Sequence, residues 1–442
     1  NDGGFGPDSE DIIKCGSYTG NGSDTGPEIN LGFEPQWVMI KGTGYGDATG
    51  GDYRHWYIYD MMRGNPVQDS SSYGGKTIKA NESSNESGTN YNPQPTPTGF
   101  KLGANRSATN YNGETYIYMA IRRGGGMSTP TDPDDVFQAH TYTGDGSTRK
   151  YSLNITPDFV INASRTVSGD SIAFNDRLRG SGKEMYSSGT GPHALQSTGM
   201  QFDHTNGIEV QNYRDTNSEN YLNLCWKRAK GFFDIVTYTG TGTAGFTVNH
   251  KLGVAPEMTW IKRTDSSTNW RVNVAALGTN GQTSPVLKLN SDGASEDDNG
   301  SYFGNNNSGG YTAPTSSVLT LGGHGDVNTS GGTHIAYLFA TIADVSKVGT
   351  YTGNSSSSQN IDCGFTTQGV EFLLIKSTSS GDWFVWTRGT GIVSGNDPYI
   401  RLNQAANEVT NTDHIDTFST GFTVNSDFNV NSEVYIFYAI AR

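Results

Sequence analysis

The sequence predicts an all-β protein, a tandem array of four related antiparallel β-sandwich modules of jelly-roll-like type, and three observations carry that prediction. The phrase YTGNG at Tyr18 returns as YTGDG at Tyr142, YTGTG at Tyr238 and YTGNS at Tyr351. Each copy is followed by a turn and a short apolar run, and each unit closes on another: ETYIYMAIRR, ENYLNLCWKR, THIAYLFATI or SEVYIFYAIAR. These runs are short, partly alternating, rich in aromatic and β-branched residues and preceded by Gly, Asn and Ser, which is the signature of strands. Finally, 58 glycines in 442 residues meet the demand of many tight β connections.

In chain order, residues 1–12 read as an N-terminal extension and residues 13–123 as module 1. Residues 124–138, built around GGGMSTPTDPDD, read as a linker, because glycine loosens the chain and proline interrupts pairing. Modules 2, 3 and 4 follow over residues 139–229, 232–343 and 347–442. Each unit is long enough to bury its own interior, which favours sandwiches over a solenoid of short repeats. Within a unit, the YTG tyrosine is expected at an edge of the core, and Gly20, Gly144, Gly240 and Gly353 at turns that accept positive φ. The next strand, Trp37 to Ile40 in module 1, supplies core side chains and ends in Ile-Lys at Ile40/Lys41, Ile261/Lys262 and Ile375/Lys376. Module 2 has Asn162 where the lysine is expected. Arg63-Gly64, Arg179-Gly180 and Arg388-Gly389 follow an aromatic strand, with Leu277-Gly278 in module 3. A guanidinium fork there would suit an anion or glycan, but its loss in module 3 favours a hydrogen bond to a turn carbonyl or a neighbouring module.

The formal net charge of -14 gives no general attraction to a phosphate backbone or an anionic membrane, so neither nucleic acid nor membrane insertion is expected. No apolar run approaches the roughly 20 residues that span a bilayer. Cys15, Cys225 and Cys363 allow one disulfide at most and have no metal-ligand spacing. Asn-x-Ser/Thr triplets at Asn21, Asn81, Asn154 and Asn354 follow from composition. The chain starts at Asn1, which reads as a processed or partial sequence.

Chemistry is harder to find. Asp292, Glu296, Asp297 and Asp298, and also Asp132, Asp134 and Asp135, lack the spacing of a calcium loop and read as hydrated loops. Asp60, Asp176, Glu184 and Asp203 are candidate carboxylates for glycoside hydrolysis, yet none recurs in all four units. His250, His324 and His334 share one unit without a zinc motif. The expectation is therefore no catalytic, cofactor or metal residue. Trp56, Tyr57 and Tyr59, Trp270, and Trp383, Phe384 and Trp386 suit either a core or interface, the favoured reading, or a sugar platform. Alternation puts Trp383 and Phe384 on opposite faces, one of them toward a neighbouring layer.

The extended strings YTGNG, GFEPQWVMIK, YIYDMMRG and TGFKLGANRSATNYNGETYIYMAI, with their later counterparts KLGVAPEMTWIK and STGFTVNSDFNVNSEVYIFYAI, cover nearly the whole chain from Gly16 to Arg442. In this order they resemble a repeated module of virion structural proteins from tailed, especially marine, bacteriophages. The resemblance implies a noncatalytic head or tail fibre or capsid decoration at the virion surface, partnered by copies of itself and other virion proteins, with a host-surface glycan as a candidate ligand at loop tips. A closed trimer fits by analogy with fibres. The alternative is an extracellular bacterial adhesin or carbohydrate-binding array; a polysaccharide depolymerase is weaker for want of an acid pair.

Overall fold

Short alternating strands bury one face only when a second layer covers it, and four times along the chain a large antiparallel sheet is faced by a small one. The computed structural model describes residues 12–23, 26–44, 55–63, 76–88, 93–102, 108–123, 128–196, 198–202, 204, 206–305, 310–366 and 369–442. Most of the expected N-terminal extension, linker residues 124–127, Gly64 and Asp203 lie outside the described residues.

In module 1 the large sheet runs Ile13–Thr19, Thr115–Arg122, Pro35–Gly42, Tyr57–Asp60, Lys76–Lys79, Ser87–Gly88 in spatial order. The last long strand of the module thus inserts between the first and the second. Module 2 repeats the order with Phe137–Thr143, Asn220–Trp226, Phe159–Ser164, Ala173–Asp176, Lys183–Tyr186 and Ala194–Leu195. Module 3 does so with Phe233–Thr239, Thr333–Phe339, Met258–Arg263, Arg271–Val274, Ser284–Lys288 and Glu296–Asp298. Module 4 has five strands in its large sheet: Ser346–Thr352, Val434–Ala441, Val370–Ser377, Phe384–Thr387 and Tyr399–Arg401. The facing sheets pair Glu28–Asn30 with Gly99–Lys101, Arg149–Ser152 with Gly207–Val210, Phe246–Asn249 with Val318–Leu321, and Ser358–Asp362 with Gly421–Asn425. Inside each sandwich lies its own core, built in module 1 from residues such as Val38, Ile40, Phe100 and Tyr116 and in module 4 from Leu373, Ile375, Trp386 and Phe422.

The chain divides into two compact units, Asn1–Gly126 with Arg177–Ser181, and Met127–Asp176 with Gly182–Arg442. Modules 2, 3 and 4 therefore make up most of one body. Phe137–Thr143 begins inside the expected linker, preceded by a single 3-10 turn, Pro133–Asp135, which Asp132 caps.

The YTG phrase has one structural role, written four times. The hydroxyls of Tyr18, Tyr142, Tyr238 and Tyr351 donate to the carbonyls of Thr109 (2.7 Å), Arg214 (2.5 Å), Val327 (2.7 Å) and Phe428 (2.9 Å). The next residue in each case is Asn110, Asp215, Asn328 or Asn429, and its side-chain oxygen accepts the backbone N–H that follows the YTG glycine. Each tyrosine ring also stacks on the closing strand, on Tyr116, Tyr221, His334 or Tyr435 at centroid distances of 5.2, 5.0, 5.1 and 4.9 Å.

The four glycines differ from expectation in their physical reason. None has positive φ; a Cβ on Gly20, Gly144, Gly240 or Gly353 would instead lie 2.3, 2.0, 2.3 or 2.0 Å from a backbone carbonyl oxygen of the facing turn. Left-handed residues lie two positions further on, at Gly22, Gly146, Gly242 and Ser355, and on the facing turn at Gly113, Ser218, Gly331 and Ser432, where the N–H bonds the YTG glycine's carbonyl.

Candidate functional site

A large sheet has two faces, and the sandwich covers only one. In modules 2 to 4 the other face is also buried. On the closing strands Leu222, Leu224 and Trp226, Ile335, Tyr337 and Phe339, and Ile436, Tyr438 and Ile440 point away from their own sandwiches, and all nine are at most 1% exposed. They meet one another: Phe159 packs on Tyr337 (centroids 4.5 Å), Phe339 on Tyr438 (5.0 Å) and Trp226 on Phe372 (5.3 Å), joining module 2 to 3, 3 to 4 and 4 back to 2. The three sheets close a ring around one shared aromatic core, in which the buried Tyr337 hydroxyl finds its partner in Asp176 at 2.8 Å. Burying so much flat apolar area is the main driving term for such an assembly, and paired rings add to it.

Two of the three seams repeat the same latch, with the lysine acceptor shifted by one residue. The Trp270 indole N–H donates to the Tyr186 carbonyl of module 2 (3.1 Å), and the Trp383 indole N–H to the Lys288 carbonyl of module 3 (2.9 Å). Both tryptophans are wholly buried, and their backbone N–H groups are held by Asn290 and Asn403, each at 2.9 Å. Beside them the Lys262 ammonium donates to the Thr190 carbonyl (3.1 Å) and the Lys376 ammonium to the Gly293 carbonyl (3.2 Å). Burial draws Lys376 down to about 8 against the opposing pull of Asp292, Glu433 and Asp382. Backbone pairs complete each seam, His193 N–H to Thr264 and Thr268 N–H to Thr190 in one, Ser295 N–H to Thr378 and Gly381 N–H to Asp292 in the other.

The third seam, module 4 against module 2, is built differently. Strand register puts Ile172 at the tryptophan position and Ala163, rather than Asn162, at the lysine position; Asn162 replaces the preceding isoleucine and bonds Asn223 within its own core (2.7 Å). The ring closes through a bidentate pair, Arg165 to Glu408 (3.0 and 2.9 Å), two backbone bonds, and the Ser187 hydroxyl on the Leu402 carbonyl (2.5 Å).

The candidate acids are occupied by structural bonds. Glu184 is fully buried against Arg214 (2.6 Å), which also reaches Asp170, and Arg214 is held well above the usual guanidinium range by those carboxylates despite the opposing pull of burial. Asp60 accepts the Met62 N–H, and Asp298 accepts the N–H groups of Ser301, Tyr302 and Phe303 in a turn. Glu296 pairs with Arg271 and Lys288. Of the Arg-Gly turns, Arg63 pairs with Glu86. His250 bonds the Thr315 carbonyl, His324 caps the Asp326 N–H, and His334, drawn down to about 4 by burial, stacks under Tyr238. Among the described residues no group of three or more His, Cys, Asp or Glu is placed to share a metal ion, and all three cysteines are free thiols. No described helix is long and apolar enough to cross a membrane.

The aromatic cluster of module 4 splits as alternation requires, with Phe384 and Trp386 in the module core and Trp383 in the seam. Phe384, Tyr399 and Tyr435 also line an open groove of about 370 Å³, with His414, Asp427 and Glu433 on its polar side. A second cleft of about 450 Å³ is lined by residues of modules 2 and 4, among them His140, Asn154, Glu371 and Arg442; burial pushes the Glu371 carboxyl up to about 7 against the lowering effect of Arg388.

The chain belongs to the family described as a domain of unknown function, DUF7483, whose model matches residues 9–123 and 132–442. The break between the two matched segments falls between module 1 and the three-module ring. No curated protein matches the chain.

Proposed function

We propose that this protein is a noncatalytic structural component of a tailed-phage virion, a head or tail fibre or a capsid decoration, with glycan contact as a secondary role. The observation that carries the reading is the repeated seam: of the residues that recur from module to module, Trp270 and Trp383, Lys262 and Lys376 join modules, and Asn290 and Asn403 hold the tryptophans in place. An enzyme would concentrate its recurring polar groups around one reacting atom. The candidate acids Glu184 and Asp176 are held by partners inside the protein. The virion itself enters through the resemblance of the repeated strings.

The groove beside Phe384 and Tyr399 supports the attachment role, since flat rings beside carboxylates are the usual means of holding a sugar. The reading is tested by mass spectrometry and antibody labelling of purified virions from a phage that encodes the chain. Labelling on heads or tails is the expected result. Absence from virions with labelling of a bacterial envelope would favour the adhesin alternative, and release of reducing sugar from host polysaccharide would overturn the noncatalytic reading.

A further inference from the structure

Module 1 carries the same outward sheet face as its three siblings, and there the face is uncovered. Strand register aligns Ile117 with Leu222, Ile335 and Ile436, and Ile78 with Met185, Leu287 and Ile400. Ile117 is 39% and Ile78 45% exposed, while all six counterparts are at most 2% exposed. Trp37, Met39, Ile58, Met119 and Ile121 lie on the same face and are only half-buried. A contiguous apolar sheet face of this kind marks an interaction site.

The latch residues are present as well. Trp56 occupies the position of Trp270 and Trp383, and its backbone N–H is held by Asn81 at 2.9 Å just as theirs are by Asn290 and Asn403. Lys41 stands where Lys262 and Lys376 stand. The acceptor side is there too: Lys79, opposite Tyr57, matches Tyr186 and Lys288, whose carbonyls receive the indoles. Yet Trp56 is 36% exposed, whereas its two counterparts are wholly buried. Module 2, which closes the ring, has lost both tryptophan and lysine; module 1 keeps the full set, donor and acceptor.

From this we infer that module 1 assembles with the module 1 of two other copies of the chain, forming in trans the three-sheet ring that modules 2 to 4 form in cis. Each copy gives the Trp56 indole N–H to the Lys79 carbonyl of the next and receives one from the previous. Such a head-to-tail contact closes when the rotation between neighbours is one third of a turn, the rotation at which three sibling sheets already close. The occupant of the face is thus two further copies of the same surface.

The test is sedimentation velocity and light scattering on the full chain, with hydroxyl-radical footprinting of Trp56 and Ile117 across a dilution series. The expected result is a particle of three times the 47.5 kDa chain mass, with both residues protected and becoming labelled as it dissociates. Ile117→Lys, at a site exposed in the single chain, should yield a monomer with an unchanged circular dichroism spectrum, and Trp56→Phe should weaken the trimer at least tenfold while retaining its stoichiometry. A wild-type monomer or dimer at high concentration, or a trimer that survives both Ile117→Lys and Met39→Lys, overturns the inference. These readouts do not depend on where the protein resides.

Discussion

Modules 1 and 3 share strand order, closing-strand register, the tyrosine-turn bond and the tryptophan–asparagine pair, and differ in what covers the outer sheet face. In module 3 the closing strand Thr333–Phe339 is buried at every position; in module 1 Thr115–Arg122 alternates, with Tyr116 and Ala120 inside and Ile117 exposed. The fold of a module is set by its inner face and its turns. The outer face determines what the module joins.

The sharpest way to break this comparison is to remove the seam tryptophans. Trp270→Ala or Trp383→Ala should cost about 3–5 kcal/mol, the range for deleting a buried tryptophan, read as a lowered denaturant midpoint. Trp56→Ala should change the stability of the dissociated chain by no more than about 0.5 kcal/mol. Equal effects at all three would mean that the outer faces of modules 1 and 3 are not physically different.

Within module 1 the two faces can be set against each other. Ile40→Asn buries an amide in the core and should cost roughly 1–3 kcal/mol beyond the lost packing, while Ile117→Asn on the opposite face leaves the thermal midpoint of the dissociated chain nearly unchanged. An unchanged midpoint for Ile40→Asn would remove Ile40 from the core.

The turn that all four modules share should be equally intolerant everywhere. Gly144→Ala and Gly353→Ala each place a methyl 2.0 Å from a backbone carbonyl oxygen, and overpacking of that kind costs about 1–3 kcal/mol. Gly113, with φ at 79° and no atom within 4 Å of a Cβ, should suffer from backbone strain alone, about 1 kcal/mol on replacement by alanine.

The smallest effect is a pH dependence. Glu371 holds its proton up to about pH 7 in the folded chain, because burial outweighs the pull of Arg388, whereas an unfolded glutamate releases it near 4.5. The folded state therefore binds more protons between those values, so this group's contribution is fully present below about pH 4.5 and is lost as pH rises through 7. The melting temperature of the wild type relative to Glu371→Gln should fall across that window; a flat difference would contradict the assignment.

Much of the fold was legible in the sequence because repetition supplied its own alignment. The YTG copies and the closing runs mark strands that do lie side by side, and alternation in DWFVWT correctly divided Trp383 from Phe384. The glycine reason was not legible, since a short sequence cannot show that Tyr111, Thr216, Thr329 and Val430 bring carbonyls against Gly20, Gly144, Gly240 and Gly353. The substitution in module 2 was displaced by one position, because only cross-strand register distinguishes Asn162 from Ala163. The ring itself left a trace that composition hid: outward positions hold Phe159, Trp226, Tyr337, Phe339 and Tyr438 in modules 2 to 4, where module 1 has Trp37, Ile121, Met119, Ile121 and Met119. Seeing it required knowing which side of each strand faced its own sandwich.

The most direct test of the account is native-state hydrogen exchange on the full chain, followed strand by strand in increasing denaturant. A closed ring predicts that Asn220–Trp226, Thr333–Phe339 and Val434–Ala441 lose protection together, in one cooperative opening that Trp270→Ala shifts for all three at once. Three separate openings, with only modules 2 and 3 responding to Trp270→Ala, would contradict it.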